Sequence, residues 1–474
     1  MRLGLFEIGV WAIASGCGPD KAGTDSGDGT VATGNCITVA ETQEAALTDV
    51  GMVLQVTFDT DASVDATVVF AAEDGVEFRT PVSTSTSHSH TLRGVPPIQE
   101  ISWHVEIGTE SCPVVVTNTG PPTAETPKLV LSVNEPTLHD GGYIMGANVA
   151  SVAVTWMVNR EGLMVWDYQH DADHQGTDAK PAVGIDGVSM NLFNVDRSID
   201  DSKVLTVAWD GSLLDDRETV LGHHAFVEQD DGDLAYATID VRNALVDGVA
   251  RDVVGDALHI RAPDGTVAEV WNVWDHPEQI PLEDHEEDNF SFYPQGWDWI
   301  HINGFDHDVA QDRWLLSMRN VNTVVEVDAS GAETLSFGLH GKWTLVGIDA
   351  ADIKWPHNSN YTSSGSIVTF VSPGGDLGHS KVVELARDDA TETLTVVWEH
   401  DCLVVGKVDF CLSKVEGAAH RLANGNMLVS WGAVGVLQEI TADHQIAWEG
   451  KWPLGHVSGH IHHVADPYEI AHEE

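Results

Sequence analysis

The sequence predicts an all-β chain: a β-propeller of six blades, or seven, preceded by a small β-sandwich of the immunoglobulin or fibronectin type III kind. Three observations predict it. Helical periodicity is nearly absent. Short apolar–polar alternations recur between Gly, Asp, Asn and Pro turns, the pattern of half-buried strands. Two echoes then repeat beyond residue 128. In the first, a Gly or Asp turn precedes a strand with tryptophan: EGLMVWDYQ (161–169), DGTVAEVWNV (264–273), DATETLTVVWEH (389–400) and ADHQIAWEG (442–450). In the second, histidine opens an extended segment followed by a turn and a strand: GHHAFVEQDDGDLAYATI from Gly222, WIHINGFDHDVAQDRWLLSMR from Trp299, WPHNSNYTSSGSIVTFV from Trp355 and AAHRLANGNMLVSWG from Ala418.

Repeated sheets set radially bring the start of each innermost strand to one central channel, and about 350 residues suffice for six blades or seven.

The chain begins MRLGLFEIGVWAIASGC, with Arg2, an apolar run to Ile13, then small residues before Cys17. That pattern suits export, signal-peptide cleavage and lipid attachment at Cys17, and resembles a bacterial lipoprotein box. Glu7 interrupts the apolar run, and Ala14 stands where leucine is usual. Residues 1–17 are therefore read as a signal peptide, with a soluble exported protein as the alternative. Residues 18–35, GPDKAGTDSGDGTVATGN, bury almost nothing and read as a tether.

Residues 36–118 hold the short strands of the sandwich: MVLQVTFDT, ATVVFAAE, TSHSHTLRGV, EISWHVEIG and CPVVVTNT. A Pro-rich linker covers 119–127, and 128–474 form the propeller. Without Cys17, four cysteines remain. In an oxidising compartment, proximity pairs Cys36 with Cys112 and Cys402 with Cys411.

With 74 acidic against 23 basic side chains, the formal net charge is -51. Such a surface repels nucleic acid and anionic head groups, so neither is an expected partner. Any membrane contact comes through the anchor at Cys17. No G-x-S-x-G elbow, phosphate loop or H-E-x-x-H helix occurs, which removes support for serine-hydrolase, nucleotide and zincin chemistry. The tryptophans fit blade cores better than a sugar platform.

His223 or His224, His301, His357 and His420 would face the common axis. Converging imidazoles can bind a metal, exchange protons, or supply a nucleophile while others hold an anion. His456, His460, His462 and His463 of GHVSGHIHHV are a closing strand, a metal pair at 460 and 462, or a histidine-rich tail.

The block DWIHINGFDHD…WLLSMRNVNTVVEVD resembles the D-W-x-H-x-N…L-x-S-x-R signature of the bacterial arylsulfotransferase family. GHHAFVEQDDGD, DIKWPHNSNYTSSGSIVTFV and EGAAHRLANGNMLVSWGAVGVLQEI resemble further blocks of that family in the same order, across about residues 128–450. The resemblance implies a six-bladed propeller that moves a sulfuryl group from an aryl sulfate to a phenol, without a nucleotide donor, through a sulfo-histidine. It implies catalytic roles for His301, His357 and His420, and substrate binding by His223, His224, Asn303, Arg319 and Lys381. No cofactor and no metal are expected.

Two departures stand out. Val371 and Ser372 occupy positions where the family has an acid–amide pair, and the nearby bases are Lys381 and His379 rather than arginine. The histidine that carries the sulfuryl group has no secure counterpart. The alternative reading is a propeller that has lost its chemistry and serves as a cell-surface binding lipoprotein; a metal-dependent enzyme is weaker, lacking an acidic ligand at fixed offset. Arg319, read without the family, pairs with an aspartate such as Asp306 or Asp328.

Overall fold

The computed structural model describes residues 34–73, 75–123, 127–148, 154–170, 174–194, 201–277, 280–282, 295–373, 378–405, 411–453 and 455–471. The expected signal peptide, Cys17 and the expected tether up to residue 33 lie outside them. The chain divides into two compact units, 1–122 and 123–474.

The first unit opens with a helix, Gly34–Thr42, where strands are expected. Cys36 and Val39, one helical turn apart, are its buried residues, and Cys36 is bridged to Cys112 with Cα atoms 5.2 Å apart. The segments expected as two strands run as one, Leu54–Ala71. Its backbone stays extended through an irregularity between Asp59 and Val64 opposite Ser83–Leu92. It is one of seven strands that hydrogen-bond as a single sheet, so strand pairing alone does not divide them into the two sheets of a sandwich.

The second unit contains six blades, not seven. The inner strands of blades three to six are Gly222–Glu228, Ile302–Asp308, His357–Tyr361 and Ala418–Arg421. These carry the histidine echo. The tryptophan echo falls on outer strands: Met164–Gln169, Val267–Asn272, Thr393–Asp401 and Ile446–Lys451. Both chain ends of the unit close the ring. Val130–Asn134 adds an outer strand to blade six, and Ser458–Val464 supplies the inner strand of blade one. Closure leaves fewer unpaired edges than an open sheet.

Blade faces pack on one another through indoles. Trp156, Trp166, Trp299, Trp314, Trp355, Trp431 and Trp448 are fully buried; each such ring removes roughly 150–250 Å² from water. Many hairpins turn on an acidic or amide side chain that accepts a backbone N–H two residues on: Asp210 from Ser212, Asp264 from Thr266, Asp328 from Ser330 and Asn424 from Asn426. Glycine at positive φ follows the side-chain acceptor at Gly211, Gly265 and Gly425. Part of the acidic surplus thus builds solvated turns. The second expected bridge, Cys402–Cys411, is present with Cα atoms 5.4 Å apart.

Candidate active site

Four inner strands share one irregularity. Their register against the next strand breaks between His223 and Phe226, Ile302 and Phe305, His357 and Asn360, and Ser458 and Ile461. A bulge bends the strand and re-aims side chains. The backbone pays locally: His224, His301 and Asn358 adopt φ of 57°, 56° and 43°, a left-handed conformation uncommon for non-glycine residues.

The bulges gather imidazoles. The rings of His224 and His301 meet edge-on with centroids 4.8 Å apart, and His223 lies 6.5 Å from His301. His223 Nδ1 is 3.0 Å from His224 Nδ1. All three are buried. Burial first, then His301, His223, His460 and His357, pushes His224 well below the usual histidine range. Burial, then Arg319, His301 and His460, does the same to His357. The chain's distant histidines therefore share one electrostatic neighbourhood, as the radial reading requires, and His460 of the closing strand joins them.

Carboxylates stand behind two of these rings. His301 Nδ1 is 2.7 Å from Asp298 Oδ2, and His223 Nε2 is 3.3 Å from Asp256 Oδ1. Asp256 also accepts the backbone N–H of Ile302 at 2.7 Å. His357 is held differently. Its Nδ1 donates to the Trp355 carbonyl at 2.7 Å, so Nε2 carries the lone pair. Among the described residues nothing hydrogen-bonds that nitrogen.

Arg319 is buried at the same place. Its backbone N–H donates to the His301 carbonyl at 3.1 Å; its guanidinium donates to Asn320 Oδ1 and to the Lys414 carbonyl, each at 2.8 Å. It does not pair with Asp306 or Asp328. Asp306 accepts the Tyr361 N–H, and Asp328 closes its own turn. The nearby carboxyls are Asp298 and Glu416. Asn303 is 1% exposed, and neither end of its side-chain amide has a partner among the described residues. Native proteins seldom leave a buried amide unpaired, so it is fit for a ligand.

His420 lies toward the other side of the axis. Its Nε2 is 3.3 Å from Asn358 Nδ2, and its ring lies tilted against that of His462 with centroids 5.3 Å apart. Burial, then His462 and His460, brings it down to about 3. His462 Nε2 reaches Asp178 Oδ1 at 2.7 Å, and His460 Nε2 donates to the Asn303 carbonyl at 3.2 Å. Burial opposes ionisation of Asp178, yet Lys180 and His462 hold it far below the usual carboxylate range. Among the described residues no cluster of three or more His, Cys, Asp or Glu has the geometry of a metal site.

Lys381 is a correction. It starts the third strand of blade five, Lys381–Asp388, two strands out from the axis, and pairs with Glu399 at 2.9 Å and Asp401 at 3.6 Å. In a chain this acidic, an outer lysine finds carboxylates before it finds the channel. The sequence reading passed over Asp256, Asp298, Asn358 and Glu416. Asp298 was open to detection, three residues before His301 inside the D-W-x-H block. Glu416, buried and raised by burial to about 8 against the pull of Arg319, gave no signal beyond one acidic residue among 74.

Fold and site together define a six-bladed propeller with a buried guanidinium, an unpaired amide and several imidazoles at its axis. Residues 127–346 match the family described as Arylsulfotransferase (ASST), which supports an arylsulfotransferase-like assignment for that part of the chain. The match contains His223, His224, His301, Asn303 and Arg319; it ends before His357 and His420. No curated protein matches the chain. Among solved structures, a protein of unknown function from Bacteroides caccae is 14% identical, covering 65% of this chain and 93% of its own, at a TM-score of 0.38. Virginiamycin B lyase from Staphylococcus aureus is 11% identical, with coverage of 69% and 89% and a TM-score of 0.33. A quinoprotein alcohol dehydrogenase-like protein from Bacteroides thetaiotaomicron is 8% identical, with coverage of 88% and 95% and a TM-score of 0.34.

The family supports aryl sulfotransferase activity in general, with small aryl sulfates and phenols as its substrates. With the two disulfides it points to an exported protein. Among the described residues no helix is long and apolar enough to cross a membrane.

Proposed function

We propose that this chain is a nucleotide-independent aryl-sulfate sulfotransferase in which His357 accepts the sulfuryl group. One observation carries the assignment of the nucleophile: the Nδ1–H bond to the Trp355 carbonyl presents Nε2 as a neutral lone pair beside Arg319. A neutral imidazole attacks; an imidazolium does not.

In the first half-reaction Nε2 of His357 forms a bond to sulfur as the aryl S–O bond breaks. The departing phenolate takes a proton from His301, whose other nitrogen is backed by Asp298. Arg319 and the Asn303 amide, already in place, hold the sulfonyl oxygens as their charge redistributes. In the second half-reaction the acceptor phenol gives its proton to His301, its oxygen bonds to sulfur, and the N–S bond breaks. Proton and sulfuryl group both balance over the cycle, which is ping-pong. The proposal extends to the N-terminus: export, a lipid at Cys17, and residues 18–35 as a spacer ahead of the first unit.

The test is release of nitrophenolate from p-nitrophenyl sulfate with and without phenol, plus mass spectrometry of peptides after donor alone. A sulfo adduct on the peptide containing His357 is the expected result. Absence of release across a broad donor panel would favour the binding lipoprotein instead.

A further inference from the structure

Three cations meet on one indole. The Arg319 guanidinium carbon lies 5.3 Å from the Trp355 ring centroid, Lys354 Nζ 4.7 Å and Lys414 Nζ 5.1 Å. Only 23 of 474 residues are lysine or arginine, and like charges this close repel. Elsewhere three buried or half-buried cations have carboxylate partners: Arg160 with Glu439, Arg387 with Glu326, Arg421 with Glu384. Here, among the described residues, neither Arg319 nor Lys414 makes an ion pair with a carboxylate. The Trp355 indole N–H is buried and lacks an acceptor among the described residues. Cation–π attraction accounts for one such neighbour readily; three neighbours and an unmet N–H leave positive potential to spare.

The cluster is also graded. Arg319 is buried, Lys354 half-buried and Lys414 exposed, which leads from solvent toward His357, whose ring hangs on the carbonyl of the same Trp355. Lys414 is joined to Arg319 as well, since its carbonyl accepts a guanidinium N–H. A sulfate ester is a monoanion, and Arg319 with Asn303 suffices for it. From this we infer that Lys354 and Lys414, braced on Trp355, form a second anion subsite, so that the preferred substrates are aryl sulfates or phenols bearing a further anionic group. The inference rests on the sulfotransferase reading and deepens it by naming the substrate class. It also resolves an electrostatic difficulty, because a chain of net charge -51 needs a local positive funnel to admit a dianion.

The experiment compares 4-carboxyphenyl sulfate with 4-carbamoylphenyl sulfate, which have the same shape and differ by one charge. The carbamoyl phenolate is the better leaving group, so intrinsic reactivity runs against the expected preference. Wild-type kcat/KM should favour the carboxylate by about tenfold at low salt, near the upper end of what one half-buried and one exposed charge give, and the advantage should shrink as salt screens it. Lys354→Gln/Lys414→Gln should bring the ratio close to one. Equal use of both donors by wild type, or a preference retained by the double variant, overturns the subsite. If no donor is turned over, the sulfotransferase reading fails on its own, and calorimetric binding of 4-carboxybenzenesulfonate against 4-carbamoylbenzenesulfonate still decides: tighter carboxylate binding that the double variant loses supports the subsite, and equal binding overturns it.

Discussion

The two arcs of the axial site hold their histidines by different means. On blades three and four, His223 and His301 are backed by Asp256 and Asp298. On blades five and six, His357 is held by a backbone carbonyl and His420 faces an amide. A carboxylate behind an imidazole fixes its orientation and stabilises the ring when it carries a proton. A carbonyl fixes the tautomer and contributes no full charge, leaving a neutral ring with a free lone pair. On the proposed mechanism, one fold supplies a proton carrier and a nucleophile from the same residue type, and the difference lies in what stands behind each ring.

The largest expected effect breaks the second arc. His357→Ala should lower donor turnover by at least about 10³-fold and abolish the sulfo adduct, because the covalent route is lost; an unchanged melting temperature separates this from misfolding. Loss of less than tenfold would move the nucleophile elsewhere. On the first arc, Asp298→Asn should cost about 10²-fold, the low end of general acid–base assistance. Asp298 acts through His301 and so is a positioning residue. Its substitution should also displace the pH profile of kcat, which a merely structural loss would not do. Similar losses and similar pH profiles for the two variants would erase the distinction between the arcs.

How much of this was legible differs between the arcs for a physical reason. Strand class, blade repeats, both disulfides and the convergence of His223, His224, His301 and His357 follow from local pattern plus radial geometry. Local pattern reports on neighbours along the chain, so Asp298 near His301 was within reach. Asp256 meets His223 across two strands of one blade, and Glu416 meets Arg319 between blades; no spacing rule encodes either pair. Lys381 failed for the same reason in reverse. Its distance from Ser372 along the chain is short, but a strand that turns outward carries it from the channel. The helix Gly34–Thr42 was missed because its sequence, GNCITVAET, has only two inward residues and β-branched neighbours, a weak helical signal.

A smaller effect links the arcs through Arg319. Glu416 sits near that guanidinium, and burial raises it to about 8. Below pH 8 it is mostly neutral and leaves Arg319 free for an anion. As pH passes 8 the carboxyl ionises, and its negative charge opposes a sulfonate at the same place. KM for a monoanionic donor should therefore rise by about threefold to tenfold between pH 7 and 9, as one added charge at intermediate dielectric implies. Glu416→Gln should keep KM flat over that window. A rise that persists in the variant would assign the titration to another group.

The smallest expected effect concerns His420, which the family resemblance nominates for catalysis. Its partners are Asn358, His462 and, through charge, His460 and Asp178, and none of these contacts includes Arg319 or the rings of His301 and His357. Held at about 3, it is neutral across the working range and carries no proton for either half-reaction. What it offers is an acceptor for the Asn358 amide, whose left-handed backbone shapes the bulge beside His357. Glutamine offers an acceptor of similar reach. His420→Gln should accordingly keep kcat within about twofold, whereas His420→Ala, which leaves that amide unpaired, should cost stability by about 1–3 kcal/mol in a melt. A loss in His420→Gln comparable to that of Asp298→Asn would place His420 among the reacting groups and redraw the boundary between the two arcs, since a tautomer-held imidazole would then be moving protons without a carboxylate behind it.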